Sequence, residues 1–201
     1  MIRIMALALL VLGVVGCAGS VDPTRFYVLA PVAGAADAPR AAAMQQHELR
    51  IGVRSVDLPR YLERPQIVTR TSANRLELAE LHQWGAPLRY TVPAMLAENL
   101  ARLVPTDQIA IFPWGRSFAP DAQVVVEISR LEGTLGGDSV LTARWRITGR
   151  SGEEIAIGAS RFTEASGVDY ETLVAAHSRL ITALSRDIAD GVRQGVQVTA
   201  R

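Results

Sequence analysis

Ser139-Val140-Leu141-Thr142-Ala143-Arg144-Trp145-Arg146-Ile147-Thr148 decides the fold. Ala143, Trp145 and Ile147 point one way; Arg144, Arg146 and Thr148 point the other. A period of two marks a strand with one buried face. Turn residues bound it on both sides: Gly136-Gly137-Asp138 before, Arg150-Ser151-Gly152 after. The preceding run, Ala122 to Glu132, puts Val124, Val126 and Ile128 on one face and Glu127 on the other. The following run, Glu153 to Glu164, returns with Ile155 and Ile157. Three strands joined by short turns predict an antiparallel meander.

Past the meander, Asp169 is placed to cap a helix, with Glu171 in its positive first turn. Leu173, Leu180, Ile181, Leu184, Ile188 and Val192 mark one face through Arg193. Before the meander, Gln108 to Phe112 reads as a short apolar strand, and Pro113 to Pro120 as a loop carrying Trp114 and Phe118. Leu88, Val92, Met95, Leu96, Leu100 and Leu103 recur at spacings of three and four, an amphipathic helix over 87–104. Pro87 suits its first position and Pro105 stops it. Pro93 either kinks that helix or marks its true start, leaving 87–92 as loop.

Further back, 66–81 reads as a hairpin turning at Thr71 to Asn74, with Ile67-Val68-Thr69 in one strand and Leu76 and Leu78 in the other. Glu48 to Leu58 alternates Leu49, Ile51 and Val53 against Arg50, Gly52 and Arg54, a half-buried strand. Pro31 to His47 is Ala-, Gly- and Pro-rich and reads as a loop. Arg25 to Ala30 holds Phe26-Tyr27-Val28-Leu29, a short strand. The expected fold class is α+β: a twisted, largely antiparallel sheet with two amphipathic helices packed on one face.

The amino terminus sets the address. Arg3 precedes a run, Ile4 to Val15, that is apolar apart from Gly13 and too short to span a bilayer. Val14-Val15-Gly16-Cys17 resembles a bacterial lipobox, and Cys17 is the only cysteine. The resemblance implies cleavage before Cys17 and lipid on its sulfur and new amino group. One acyl chain anchors only marginally, so the several chains of a lipoprotein cysteine give a permanent membrane anchor. Ala18, in place of an Asp, leans toward the outer membrane. The expected organisation is a signal peptide at 1–16, a tether at 17–24, one domain at 25–194 and a tail at 195–201. Eight extended tether residues reach at most about 29 Å.

Composition excludes some functions. All 21 basic residues are Arg. After loss of Arg3 the charges balance, so the basic footprint of a nucleic-acid binder is absent. His47, His82 and His177 show no metal-ligand spacing. No Gly-x-Ser-x-Gly elbow occurs, and a phosphate loop needs a Lys the chain lacks. No catalytic residue, metal site or cofactor is expected.

The block Leu58-Pro59-Arg60-Tyr61-Leu62-Glu63-Arg64-Pro65-Gln66-Ile67-Val68-Thr69-Arg70 resembles the signature of a lipoprotein family. Trp84, Pro87-Leu88 and Leu96-Ala97-Glu98-Asn99-Leu100 fit it too, as do Phe26-Tyr27-Val28-Leu29 and the lipobox. The family is the auxiliary lipoprotein of ABC-type and paraquat-inducible intermembrane transport systems. The resemblance implies a non-enzymatic subunit that docks a periplasm-spanning, MCE-type lipid transporter at the outer membrane and supports envelope integrity. Its implied partners are an MCE-domain protein and a membrane permease; self-association is left open. Within the block, Tyr61 and Arg64 are of the types enriched at interface hot spots. The alternative is a structural turn, with Tyr61 over the core edge and Arg64 paired with Glu63 or Glu80. Trp84 reads as a core or sheet-edge plug, and Trp114 and Phe118 as candidate partner contacts, the alternative and commoner fate of such loop aromatics being to fold back on the sheet. The competing function is an outer-membrane assembly or cell-wall scaffold lipoprotein.

Overall fold

The computed structural model describes residues 22–31, 49–104 and 106–199. Cys17, the signal peptide, most of the tether, His47 and Pro105 lie outside the described residues. Eight strands form one sheet: β1 (Arg25–Tyr27), β2 (Ile51–Asp57), β3 (Gln66–Ser72), β4 (Arg75–Trp84), β5 (Ile109–Ile111), β6 (Ala122–Gly133), β7 (Asp138–Gly149) and β8 (Glu154–Ala165). Two helices accompany them, α1 (Leu88–Leu103) and α2 (Tyr170–Thr199). The class is α+β, as expected.

The meander forms in the expected register. Val124 faces Ile147 and Val126 faces Trp145 across β6 and β7, and Trp145 faces Gly158 on β8. Val124, Val126, Ile128, Ala143 and Ile147 are buried, whereas Glu127, Arg144 and Arg146 are exposed. Antiparallel pairing carries β3–β4, β6–β7 and β7–β8.

The sheet is mixed, because β6 has a second neighbour on its other edge. There β2 runs parallel to Ala122–Glu127, and β3 meets the same edge further on, at Thr69↔Gly133. The chain from Ile51 to Ser72 thus travels alongside one strand, and a single 3-10 turn, Arg60–Leu62, takes up the excess length. The remaining parallel pairs are β1 with β4 and β2 with β5.

Helix α1 begins at Leu88, with Pro87 as its cap, and continues through Pro93. Residues 88–92 are therefore helical, not loop. Leu88, Val92, Met95, Leu96 and Leu100 are buried. Helix α2 is capped as expected: the Thr172 amide donates to Asp169 Oδ1 at 2.8 Å. It runs to Thr199 rather than ending at Arg193. The weakly patterned end continues because Gly191 and Gly195 let the helix lie close to Trp145 and Ile155.

Two details depart from strict alternation. On β4, Ala79 is buried and Leu78 is 46% exposed, because the pairing with β3 shifts register between Gln66 and Val68. On β6, a shift between Ile128 and Arg130 brings Leu131 and Glu132 both to buried positions. Trp84 is buried beneath the sheet edge, as the plug reading has it.

Candidate partner-binding surface

The link between β2 and β3 carries the sequence block that stands out. Pro59 and Pro65 bracket its turn, and proline lowers the entropy cost of holding such a segment still. The amide of Leu62 donates to the Pro59 carbonyl at 2.9 Å, and Leu62 is buried. Tyr61 packs half-buried on the core, and its hydroxyl donates to Glu132 Oε2. Arg64 Nε donates to the Tyr61 carbonyl at 3.0 Å, closing the turn on itself. It forms no ion pair with Glu63 or Glu80.

Glu132 is the anchor of this arrangement. Its side chain is fully buried, and Oε1 accepts from Arg70 Nε at 2.9 Å and Arg130 Nε at 2.8 Å. Burial alone would raise its carboxyl. The hydrogen bonds from Tyr61, Arg130 and Arg70 outweigh that and hold it below the usual carboxylate range. The Tyr61 phenol is pushed up, first by burial and then by its bond to Glu132. Sequence reasoning missed Glu132, because the bulge that puts it beside Arg130, opposite the core-facing Leu131, and the Tyr61 and Arg70 side chains that bury it there, have no local signature.

Trp114 and Phe118 come together on the other side of β2. The Trp114 ring lies over Gly52, where a Cβ would come within 2.8 Å of it. Only glycine admits that approach. Phe112 meets Trp114 edge-on at 5.3 Å between centroids, and Phe118 sits at 6.0 Å. Phe112 was hidden in the sequence at the end of a short apolar strand, yet it is 53% exposed. Arg54, at the register shift between Val53 and Ser55, is exposed as its alternation predicts, and its guanidinium rests 5.6 Å from the Phe112 ring. The cluster borders β5, which ends the strand order and has a free edge among the described residues. One exposed and two half-buried aromatics with an arginine, beside such an edge, suit protein contact.

The two described histidines, His82 and His177, pack against aromatic rings. His82 Nδ1 lies 2.7 Å from the Tyr27 hydroxyl, and its ring stacks on Tyr170 at 3.9 Å. His177 is fully buried, stacks on Trp84 at 6.0 Å, and has no hydrogen-bond partner at either nitrogen among the described residues. Burial lowers it to about 4, against a weaker opposite pull from Glu132. Among the described residues, no three His, Cys, Asp or Glu side chains converge as a metal site, and no helix is long and apolar enough to cross a membrane.

Residue Asn99, in the Leu96–Leu100 stretch, is buried between the helices. Its Nδ2 donates to Ser185 Oγ at 3.1 Å and reaches Thr182 Oγ1 at 3.5 Å. Both hydroxyls donate in turn to carbonyls of α2.

Comparison with known proteins follows the same lines. Residues 27–189 match the model of a family described as ABC-type transport auxiliary lipoprotein component. A crystal structure of protein XCC0632 from Xanthomonas campestris superposes with a TM-score of 0.70 at 12% identity, over 89% of this chain and 100% of that one. A crystal structure of an uncharacterized protein gives 0.69 at 19% identity, over 85% and 99%. At such identities the likeness shows the fold alone. No curated protein matches the chain.

Proposed function

The chain belongs to the family of ABC-type transport auxiliary lipoprotein components, and from that premise we propose that it is a non-enzymatic docking subunit. Lipid on Cys17 holds it at the outer membrane, facing the periplasm. There it receives the MCE-domain protein of a periplasm-spanning lipid transporter, whose other component is a membrane permease, and supports envelope integrity. The observation that carries this reading is the half-exposed cluster of Phe112, Trp114 and Phe118 beside the free edge of β5.

Rigid support makes the cluster a docking surface. Trp114 is seated on Gly52 of β2, which is itself paired on both edges, with β5 and β6. A preorganised aromatic anchor loses little freedom on binding. Tyr61 and Arg64 support the same reading from the link: they fix the course of the chain between β2 and β3, and the exposed residues Arg60 and Glu63 are what that link presents.

The test is recovery of the MCE-domain protein with the lipid-anchored chain from solubilised envelopes. Replacing Trp114 and Phe118 with Ala should release it while the fold is retained. Recovery of a barrel-assembly or cell-wall protein in its place would favour the scaffold reading.

A further inference from the structure

Helix α2 covers one face of the meander, and the other face is open. Along it run Glu127 and Ser129 of β6, Thr142, Arg144 and Arg146 of β7, and Ala159 and Arg161 of β8. Two adjoining hollows of about 420 and 640 Å³ lie here, sharing Glu127, Arg144 and Ala159. They exist because positions between the arginines are small: Ser129 and Ala159 leave room that longer side chains would fill.

The chemistry of the trough is unbalanced. Arg144, Arg146 and Arg161 line it against one carboxylate, Glu127. Arg146 reaches Glu154 at 3.5 Å with both side chains more than half exposed, a contact of little strength. Arg144 and Arg161 have no carboxylate within ion-pair distance among the described residues. Arg144 and Arg146 alternate on β7, which sets their Cα atoms about 7 Å apart. Arg161 is the diagonal neighbour of Arg144, whose direct partner is Ala159, at about 7–8 Å. Ile157, 61% exposed, and Val125 add apolar surface at one end. Arg54, bonded to Gln123 at 3.1 Å, joins that end to the aromatic cluster.

We propose that this trough binds a carboxylate-bearing, partly apolar segment of the docked transporter, its acidic side chains paired with Arg144 and Arg161. The inference rests on the docking reading and names the chemistry of the partner. Arginine's planar fork suits bidentate pairing with carboxylates. The strand leading back to the membrane anchor, β1, is separated from β6 by β4 and β3.

Two measurements on the full, lipid-anchored chain in detergent test it. In the first, anisotropy follows a labelled heptapeptide with glutamate at alternate positions and leucine at both ends. Binding should weaken at least tenfold in Arg144→Glu with Arg161→Glu, and also in the milder Arg144→Gln with Arg161→Gln. It should fall with added salt and be unchanged in Arg89→Glu, an exposed site on α1. No peptide binding, or equal binding by the variants, overturns the proposal whether or not a transporter is recovered. Failure to bind peptide, together with arginine-dependent binding to phosphatidylglycerol vesicles over phosphatidylcholine ones, assigns the face to lipid and overturns it too. In the second, a photo-crosslinker at Ile157 should capture the MCE-domain protein. If that protein is recovered with the chain but never crosslinks from Ile157, docking stands and this face is not its site.

Discussion

The Tyr61 hydroxyl donates to Glu132 Oε2 across 71 residues of sequence. That bond ties the link between β2 and β3 to β6, the strand beside which both run. It gives the Leu58–Arg70 block a structural reason for its composition. Two arginines and one phenol satisfy a carboxylate that could not otherwise be buried.

Removing the hydroxyl alone measures the tie. Tyr61→Phe should cost about 1.5–3 kcal/mol, the range for hydrogen bonds to charged groups. Glu132→Gln should cost more, on the order of 3–5 kcal/mol, because two guanidiniums lose their counter-charge. Urea unfolding reads both. A Tyr61→Phe midpoint equal to wild type would mean that the arginines alone hold Glu132.

Acid should loosen the fold in a defined window. His177 titrates near 4 when folded and near 6.5 when unfolded. The unfolded chain therefore binds more protons as pH falls between those values, and stability drops with it. Each unit of difference is worth about 1.4 kcal/mol, so the full loss approaches about 3 kcal/mol. Glu132, held low in the folded state, adds a further loss below its unfolded value. His177→Leu should flatten the profile between pH 6.5 and 4. A variant that keeps the wild-type slope there would place the sensitivity elsewhere.

How much of this was legible in the sequence follows from the range of each interaction. The meander was readable because Val124 to Ile128 and Ala143 to Ile147 alternate without interruption and their turns are short. The placing of β2 beside β6 was not, because nothing near Ile51 signals a partner near Ala122. That long-range parallel pairing makes the sheet mixed. Bulges erased the rest: Ala79 replaces Leu78 inside, and after Ser129 it is Leu131 that takes the core face while Glu132 moves to the face of Arg130. Trp114 and Phe118 were visible as loop aromatics. Their seat on Gly52 was not, since a glycine on a strand does not say what lies over it.

A buried amide ties the two helices, alongside the Arg193 guanidinium, which donates to the Leu103 carbonyl at 3.0 Å. Asn99→Ala removes the buried donor to Ser185 and Thr182, and should cost about 1–3 kcal/mol. Asn99→Asp should cost more, since it buries a charge against two hydroxyls already donating elsewhere. Thermal melts followed by circular dichroism check both. An Asn99→Ala melt unchanged from wild type would show that the amide adds nothing to the joining of the helices.

Processing at the amino terminus is tested by Cys17→Ser. The variant should accumulate as uncleaved precursor, and intact mass of the wild type should show acyl chains on Cys17. Unmodified Cys17 in membrane-bound wild type would remove the anchor from the account.

The account's central claim is that an aromatic cluster on a rigid sheet docks a transporter. The direct measurement is the dissociation constant between the lipid-anchored chain in detergent and the purified MCE-domain protein. Wild type is compared with Trp114→Ala combined with Phe118→Ala. The account predicts saturable wild-type binding and a loss of about thirtyfold or more in the variant, equivalent to about 2 kcal/mol, with folding monitored by circular dichroism. Wild-type protein that does not bind, or a folded variant that binds with undiminished affinity, would contradict it.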